Sequence, residues 1–275
     1  MALTAGRAAL FQLLPLSQQE SSNVTLLSGG FPEVLAHASA RTTWFRSYVQ
    51  TYLERDVRAV SSIRDLATFR RFLALVVSRC GQIVNRTDLA APLGVSVPTI
   101  SEWLSILEIT GQIILVPPFF ENFGKRLIKS PKLYFVDAGM ACHLLGIESG
   151  DMLNQSPFLG PVFEGFVASE IIKQQTALGR PRALYYFRDQ QGLEVDFIVP
   201  LRERRLVFIE AKASRTVFPE MGAPLARLAK ASSRYEVSKV VVHRGGKESP
   251  STSALGRGVR ALPVDKLPAL LDGTL

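Results

Sequence analysis

With 275 residues, the chain is long enough for one large domain or two smaller ones. Its hydrophobic fraction of 47% and charged fraction of 20% are those of a globular protein, and no apolar run approaches the ~20 residues that span a bilayer. The net charge of +8 favours a polyanionic partner, nucleic acid above all. Cys80 and Cys142 lie in apolar helical contexts without zinc-site spacing, so we expect reduced thiols in a cytoplasmic protein that has no signal peptide.

The N-terminal part of the chain gives few functional signals. Residues 8–14 form an apolar run that ends at Pro15, which suits a buried strand. A turn is predicted at Gly29 and Gly30, which Phe31 and Pro32 follow. We expect these glycines to serve only the conformation of the loop. Residues 43–60 have helical periodicity and a basic outer side, which either solvent or nucleic acid can explain.

Residues 65–118 predict three helices followed by a strand, which is the helix-turn-helix pattern with a wing. The side chains expected on the exposed side of the third helix are Ser96, Thr99, Glu102 and Ser105. None of them is basic, whereas a sequence-reading helix usually presents Arg, Lys, Asn or Gln to the bases. The pattern therefore favours a structural or protein-contacting winged helix.

A basic segment follows, in which cations alternate with aromatic residues. Lys125, Arg126, Lys129 and Lys132 lie among Phe and Tyr side chains between residues 119 and 137. Such a combination can bind phosphates of nucleic acid. A pair of strands with one solvated face explains the same pattern, and both interpretations stay open.

The second half of the chain predicts a helix, three strands, a helix and a strand between residues 160 and 243. Residues 148–157 are the best linker candidate before it. We therefore predict a mixed α/β protein with three parts: residues 1–40, a helical region over 41–150 that contains the winged helix, and an αβββαβ domain over 151–275.

Two runs in this domain, residues 193–199 and 206–211, alternate with period two and predict a hairpin. Pairing them brings Asp196 and Glu210 to one face of the sheet, with Lys212 one step beyond. Two carboxylates at a strand end suit Mg²⁺, and a neighbouring ammonium can orient water or offset the charge of a phosphate. The alternative is a solvated hairpin whose charged side chains face water.

The D…ExK spacing and the αβββαβ order resemble the restriction-endonuclease-like (PD-(D/E)XK) superfamily. That resemblance implies a nuclease-like site of Asp196, Glu210 and Lys212, with Asp196 and Glu210 as metal ligands. A glutamate of the first helix often supplements the site, which makes Glu164 the candidate and Glu170 the second choice. Residues six apart lie about 240° around a helix, so only one of them is expected to face the metal.

Nearly the whole chain resembles the C-terminal part of prokaryotic AAA-like ATPases. The matching stretches include GRAALFQLLPLS, GGFPE, NRTDLAAPLGVSVPTISEWLSILE, KSPKLYFVDAGMACHLLG, YYFRDQQGLEVDFIV and IEAKAS. The resemblance implies that residues 1–40 are a remnant of the C-terminal end of a P-loop ATPase domain, which a winged-helix region and an endonuclease-like domain of poorly defined activity follow. No P-loop pattern is found in the sequence, so we expect no ATP binding by this chain.

The sequence is compatible with three functions. The leading hypothesis is a DNA-associated, Mg²⁺-dependent nuclease-like module. The alternatives are a non-catalytic module that binds DNA or protein, and a truncated ATPase fragment. Expected partners are DNA, together with a separate ATPase chain or further copies of this chain, and no membrane.

Overall fold

The computed structural model describes residues 12–52, 65–119, 129–202, 204–245, 255 and 258–272. It confirms the mixed α/β class, since helices predominate among the described residues of the first half and a five-stranded sheet forms in the second. The elements of the first half are α1 (Pro32–Ala36), α2 (Arg41–Thr51), α3 (Leu66–Val77), α4 (Arg86–Ala90), α5 (Val97–Ile109), β1 (Ile113–Val116), β2 (Lys132–Phe135) and α6 (Ala138–Leu144). Those of the second half are α7 (Gly150–Gln155), α8 (Leu159–Ala177), β3 (Tyr185–Arg188), β4 (Glu194–Arg202), β5 (Arg205–Lys212), α9 (Ala223–Ala231), β6 (Glu236–His243), β7 (Val259–Pro263) and α10 (Leu267–Asp272).

The three helices α3, α4 and α5 begin at side-chain caps, as the polar residues before them indicate. Asp65 accepts a hydrogen bond from the Thr68 amide, Asn85 caps α4, and the Ser96 hydroxyl accepts one from the Thr99 amide. A left-handed residue, Gly94 with φ +66°, ends the short turn after α4. The predicted order of three helices and a strand is therefore present.

Strand β2 is held on both of its edges. It pairs antiparallel with β1, so that Ile113 lies opposite Phe135 and Val116 opposite Lys132. Its other edge bonds to the chain after α3, through the Gly81 and Leu133 amides and a bridge between Ile83 and Lys132. The backbone of β2 is consequently fixed, and Lys132 and Tyr134 leave it on the same side because side chains alternate along a strand.

The sheet of the second half has the order β3-β4-β5-β6-β7. The first three strands are antiparallel neighbours, whereas β5, β6 and β7 run parallel. Helix α8 contacts β5 and β2, and its residues share a core with Val207 and Ile209. Helix α9 covers the opposite face, where Leu225 and Leu228 pack with Phe208. The predicted αβββαβ order of elements is present, with β7 and α10 added after it.

A bulge interrupts β4 at the point where the carboxylate motif lies. Tyr185 pairs with Ile198 but Phe187 pairs with Val195, so β4 has one extra residue between these two pairs. Val195 consequently packs in the α9 core, whereas Phe197 packs in the α8 core. The predicted single apolar face over residues 193–199 was wrong, because the bulge changes the face at this point.

Other sequence predictions need correction or fall outside the described residues. Only residues 12–14 of the predicted strand at 8–14 are described, and they form no strand. Lys125 and Arg126 also lie outside the described residues. The linker candidate at 148–157 contains α7, which Ser149 caps. None of the helices within the described ranges is both long and apolar enough to cross a membrane.

Candidate functional site: a carboxylate cluster around two lysines

The candidate site lies where β4, β5, α8 and β2 meet. Asp196 is placed by the bulge of β4, and its Oδ2 accepts a hydrogen bond of 2.9 Å from the Ala211 amide of β5. This bond continues the contact between the two strands beyond their last backbone pair, Phe197 with Ile209. The carboxylate of Asp196 is thereby held against the end of β5, beside Glu210.

Glu210 and Lys212 lie two residues apart on β5 and interact directly. The Lys212 Nζ donates to the Glu210 Oε1 at 2.6 Å. The other oxygen, Oε2, is buried and has no hydrogen-bond partner among the residues that the structure describes. A buried carboxylate oxygen without a partner is costly, so it marks a position that a ligand or water can stabilise. The Lys212 side chain, 35% exposed, is the more accessible of the two.

A second lysine, Lys132, enters the cluster from β2. Its Nζ lies 3.0 Å from Glu164 Oε1, 2.5 Å from Glu194 Oε1 and 3.6 Å from Asp196 Oδ1. The Lys132 side chain is only 4% exposed. Tyr134, two residues further along β2, donates its hydroxyl to the same Glu164 Oε1 at 2.8 Å. Glu164 of α8 is therefore joined to β2 by two hydrogen bonds.

Burial and mutual repulsion shape the charges of this cluster. Burial, together with the nearby charge of Asp196, raises the pKa of Glu164 to about 8, although Lys132 opposes the rise. Burial and Asp196 raise the pKa of Glu210 to about 7, against the effect of Lys212. Burial alone lowers the pKa of Lys132, but the surrounding carboxylates outweigh it, so that the pKa lies above its ordinary value. Both lysines consequently remain charged at neutral pH.

The donor set fits a hard divalent cation held by few protein ligands. Asp196 and Glu210 supply carboxylate oxygens, and Glu210 Oε2 is unsatisfied. Among the described residues, no group of three or more His, Cys, Asp or Glu side chains is arranged to enclose a metal ion. Mg²⁺ commonly binds through one or two carboxylates and keeps several waters, so a two-carboxylate site suits it better than a dedicated cage.

The structure separates the two glutamates of α8. Glu164 lies in the cluster, whereas Glu170 lies on another side of the helix, where its Oε2 accepts from the Gln18 amide and its Oε1 from Lys173. This agrees with the expectation that only one of them faces the site. Of the two, Glu164 is therefore the one that contacts the cluster.

The lysines of the predicted basic patch also differ in their surroundings. Lys129 is exposed, but Lys132 is buried, and its ammonium points into the carboxylate cluster. Lys132 therefore does not contribute to a phosphate-binding surface. Its place in the cluster was missed because Lys132 is distant in sequence from Asp196; the only local signal is a lysine within the apolar strand KLYF.

His243 is a further buried side chain near the cluster. It is fully buried at the end of β6, where its register partner on β5 is Lys212. Its Nδ1 accepts a hydrogen bond from the Gly245 amide, and no described residue bonds to its Nε2. Burial lowers the pKa of His243, which favours the neutral imidazole.

Comparison with known proteins gives matches to two family models. Residues 19–151 match "Domain of unknown function (DUF8612)", and residues 159–267 match "Domain of unknown function (DUF4143)". Glu164, Asp196, Glu210 and Lys212 all fall in the second matched range, whereas Lys132 falls in the first.

Two curated mycobacterial proteins are similar to this chain. Uncharacterized protein Rv2008c of Mycobacterium tuberculosis is 34% identical over 218 residues, which cover 77% of this chain and 48% of that protein. Uncharacterized protein Mb2031c of Mycobacterium bovis gives the same identity and the same coverage. The chain thus spans about half the length of the curated relatives that it matches.

Proposed function

We propose that α8 and the sheet β3–β7 form a divalent-cation-dependent phosphodiesterase module that cleaves DNA. The observation that carries the proposal is the convergence of Asp196, Glu210 and Lys212 at adjoining strand ends, with Glu210 Oε2 buried and unpartnered. Carboxylates beside an ammonium match the needs of phosphodiester hydrolysis, in which negative charge develops on the phosphate.

Each residue has a distinct role in this proposal. Asp196 and Glu210 hold Mg²⁺ through their carboxylates, and Glu164 assists from α8. The bound ion supplies a Lewis acid for the phosphate and lowers the pKa of a bound water. Lys212, the more exposed of the two lysines, orients the attacking water or offsets charge on the phosphate.

A DNA substrate is supported by charge. The chain carries a net charge of +8, although the cluster itself is acidic. Exposed Lys129 lies three residues before Lys132, so a cation borders the site in sequence and can contact the DNA backbone. Lys125 and Arg126 belong to the same proposed phosphate-binding segment.

A larger setting is part of the proposal. The chain spans about half of its curated relatives. Its sequence resembles the C-terminal part of AAA-like ATPases, which supports a role next to a P-loop ATPase on the same polypeptide or on a separate chain. Nucleotide hydrolysis is assigned to that ATPase and not to the residues of this chain.

A second candidate is a non-catalytic module that binds DNA or protein. It is favoured by Lys132, which already neutralises part of the carboxylate cluster by contacting Glu164, Glu194 and Asp196. In this alternative the same residues form an ion-pair network that stabilises the fold and performs no chemistry.

The deciding experiment is a cleavage assay on supercoiled and single-stranded DNA with Mg²⁺ or Mn²⁺. We expect wild-type protein to cut, and Asp196→Asn and Lys212→Ala to lose about 10²-fold or more in rate. Glu236→Gln is the matched control, because Glu236 is exposed and pairs only at the surface with Arg205. It should cut like wild type.

The outcomes separate the two candidates. Cation-dependent cleavage that both site variants lose supports the phosphodiesterase. Folded wild-type protein that binds DNA without cutting it overturns the phosphodiesterase and supports the binding module. Cleavage that survives in Asp196→Asn and Lys212→Ala also overturns the proposed site, since the activity must then come from elsewhere or from a contaminant.

A further inference from the structure

The ammonium of Lys132 is the positive charge at the centre of one side of the carboxylate cluster. Three carboxylates from two elements converge on one nitrogen: Glu164 from α8, and Glu194 and Asp196 from β4. The Tyr186 ring lies 5.7 Å from the same nitrogen and adds a weak cation–π attraction. Lys132 is thus the cation around which this side of the cluster is assembled.

Lys132 cannot be withdrawn easily from this position. Its strand bonds to β1 on one edge and to the chain at residues 81–84 on the other. Its side chain is 4% exposed, so the ammonium has little access to water that could replace its carboxylate partners. The positive charge is therefore a fixed part of the site.

Asp196 connects this internal cation to the proposed metal position. Its Oδ1 faces Lys132 at 3.6 Å, while its Oδ2 accepts from the Ala211 amide. A divalent cation bound between Asp196 and Glu210 must share the Asp196 carboxylate with Lys132. Like charges that share one carboxylate oppose each other, by an amount that is large at short distance in a partly buried site.

The cluster is not a closed structural ion-pair network. Glu210 is more than nine-tenths buried, yet within the described part of the chain its Oε2 has no hydrogen-bond partner. A network that served stability alone would be expected to satisfy this oxygen. The unpartnered atom indicates that the Glu210 side of the cluster still has room for a cation, while the Lys132 side is already neutralised.

We propose that Lys132 is a built-in cation that keeps the carboxylates assembled in the absence of metal and weakens divalent-cation binding at Asp196. This inference rests on the proposed metal site and specifies how that site is regulated. Because Lys132 belongs to β2 and its partners belong to α8 and β4, any change that moves β2 relative to the sheet also changes the cation affinity of the site.

The test compares Lys132→Met with wild type by Mn²⁺ binding, followed through the electron paramagnetic resonance signal of free Mn²⁺. We expect the apparent Kd for Mn²⁺ to fall by about tenfold or more in Lys132→Met, since a competing charge is removed. Lys132→Arg keeps the charge and should retain the wild-type affinity. Lys230→Met, which removes an exposed lysine of α9 outside the proposed phosphate-binding segment, is the matched control and should also bind like wild type.

Thermal unfolding gives a second readout. In chelator, Lys132→Met should unfold at a lower temperature than wild type, and Mn²⁺ should raise its midpoint more than it raises that of wild type. If Lys132→Met does not fold in chelator, the inference is tested by refolding the variant with and without Mn²⁺. Recovery by Mn²⁺ supports the inference, whereas no recovery overturns it.

The outcomes distinguish this inference from the function on which it rests. Equal Mn²⁺ affinity in wild type, Lys230→Met and Lys132→Met overturns the role of Lys132 but does not overturn the metal site. The absence of Mn²⁺ binding in all folded variants overturns the metal site itself, and with it the inference. If Lys230→Met and Lys132→Met tighten Mn²⁺ binding equally, the effect is one of overall charge, and the specific role of Lys132 is overturned.

Discussion

Helix α8 contributes one glutamate, Glu164 or Glu170, to each of two buried groups of carboxylates and lysines that differ in structure. The group around Glu170 is balanced: Lys173 faces Glu170 Oε1 at 3.2 Å and donates to the Leu16 carbonyl, and the Gln18 amide donates to Glu170 Oε2. The group around Glu164 is not balanced, because the carboxylates outnumber the lysines. It contains Glu164, Glu194, Asp196 and Glu210 against Lys132 and Lys212.

The difference indicates which group serves stability and which serves binding. Glu170 and Lys173 satisfy each other and fix the N-terminal segment at residues 16–18 to the core. The Glu164 group has more carboxyl groups than lysines, and Glu210 Oε2 has no hydrogen-bond partner among the described residues, so a bound cation can stabilise this group. Charge balance and hydrogen-bond satisfaction therefore separate the two groups better than burial, which they share.

The largest expected effect is on the balanced group. Glu170→Ala leaves Lys173 buried without its carboxylate and removes the acceptor of the Gln18 amide. We expect the free energy of unfolding to fall by about 3–5 kcal/mol. Urea unfolding followed by circular dichroism measures this loss.

Two further measurements sharpen the result for Glu170. Glu102→Ala, at an exposed position of α5, is the control and should change stability by less than about 0.5 kcal/mol. The folded fraction of Glu170→Ala should still bind Mn²⁺ with wild-type affinity. A loss of Mn²⁺ affinity at full folding would place Glu170 in the binding group and break the comparison.

A smaller effect is expected where the N-terminal segment meets α6. Gly30 donates its amide to Asp137 Oδ2 at 2.7 Å, and Gly139 packs against the backbone of Ser28 and Gly29. A Cβ on Gly139 would lie 2.6 Å from the Ser28 carbonyl oxygen, so Gly139→Ala forces the segments apart. We expect a loss of about 1–3 kcal/mol in urea unfolding.

The control for Gly139 lies on α8. Gly160 is helical, and nothing lies within 4 Å of the position that a Cβ would occupy there, so Gly160→Ala should stabilise the protein by about 0.5–1 kcal/mol. Opposite signs for the two substitutions would support a docked N-terminal segment. Equal, small effects would show that the segment does not pack on α6 in solution.

Local sequence patterns predicted the helices and strands well, but they could not predict contacts between residues that are distant in sequence. The caps at Asp65 and Asp137 and the order of elements after residue 159 follow from periodicity and polar residues at helix starts. The sequence also placed Asp196, Glu210 and Lys212 on one hairpin, because their spacing along β4 and β5 determines where they meet.

The remaining features depend on tertiary packing. The bulge in β4 changes the face between Val195 and Phe197, and simple alternation cannot show an extra residue in a strand. Lys132 looked like part of a basic surface because its carboxylate partners lie 32 or more residues away in sequence. Gly29 and Gly30 looked like loop punctuation, but Gly30 bonds to Asp137, which is 107 residues away.

The pH dependence that Glu164 gives to stability tests the Glu164 group directly. The pKa of Glu164 rises from its ordinary 4.5 to about 8 on folding, since burial and Asp196 disfavour its charge. The folded protein therefore holds more protons than the unfolded chain between these pH values, and the free energy of unfolding falls as pH rises through that window. Glu164→Gln removes the contribution of this carboxyl group. The free energy of unfolding of the variant should therefore decline less steeply between pH 4.5 and pH 8 than that of wild type.

Urea unfolding at a series of pH values measures the slope, with Glu236→Gln as the control that should retain the wild-type slope. The same titration also tests the balance of the Glu164 group. If saturating Mn²⁺ flattens the wild-type slope, a divalent cation has replaced the proton as the charge that offsets these carboxylates. An identical slope in wild type and Glu164→Gln would mean that Lys132 alone satisfies Glu164, and the two groups on α8 would then be equally balanced.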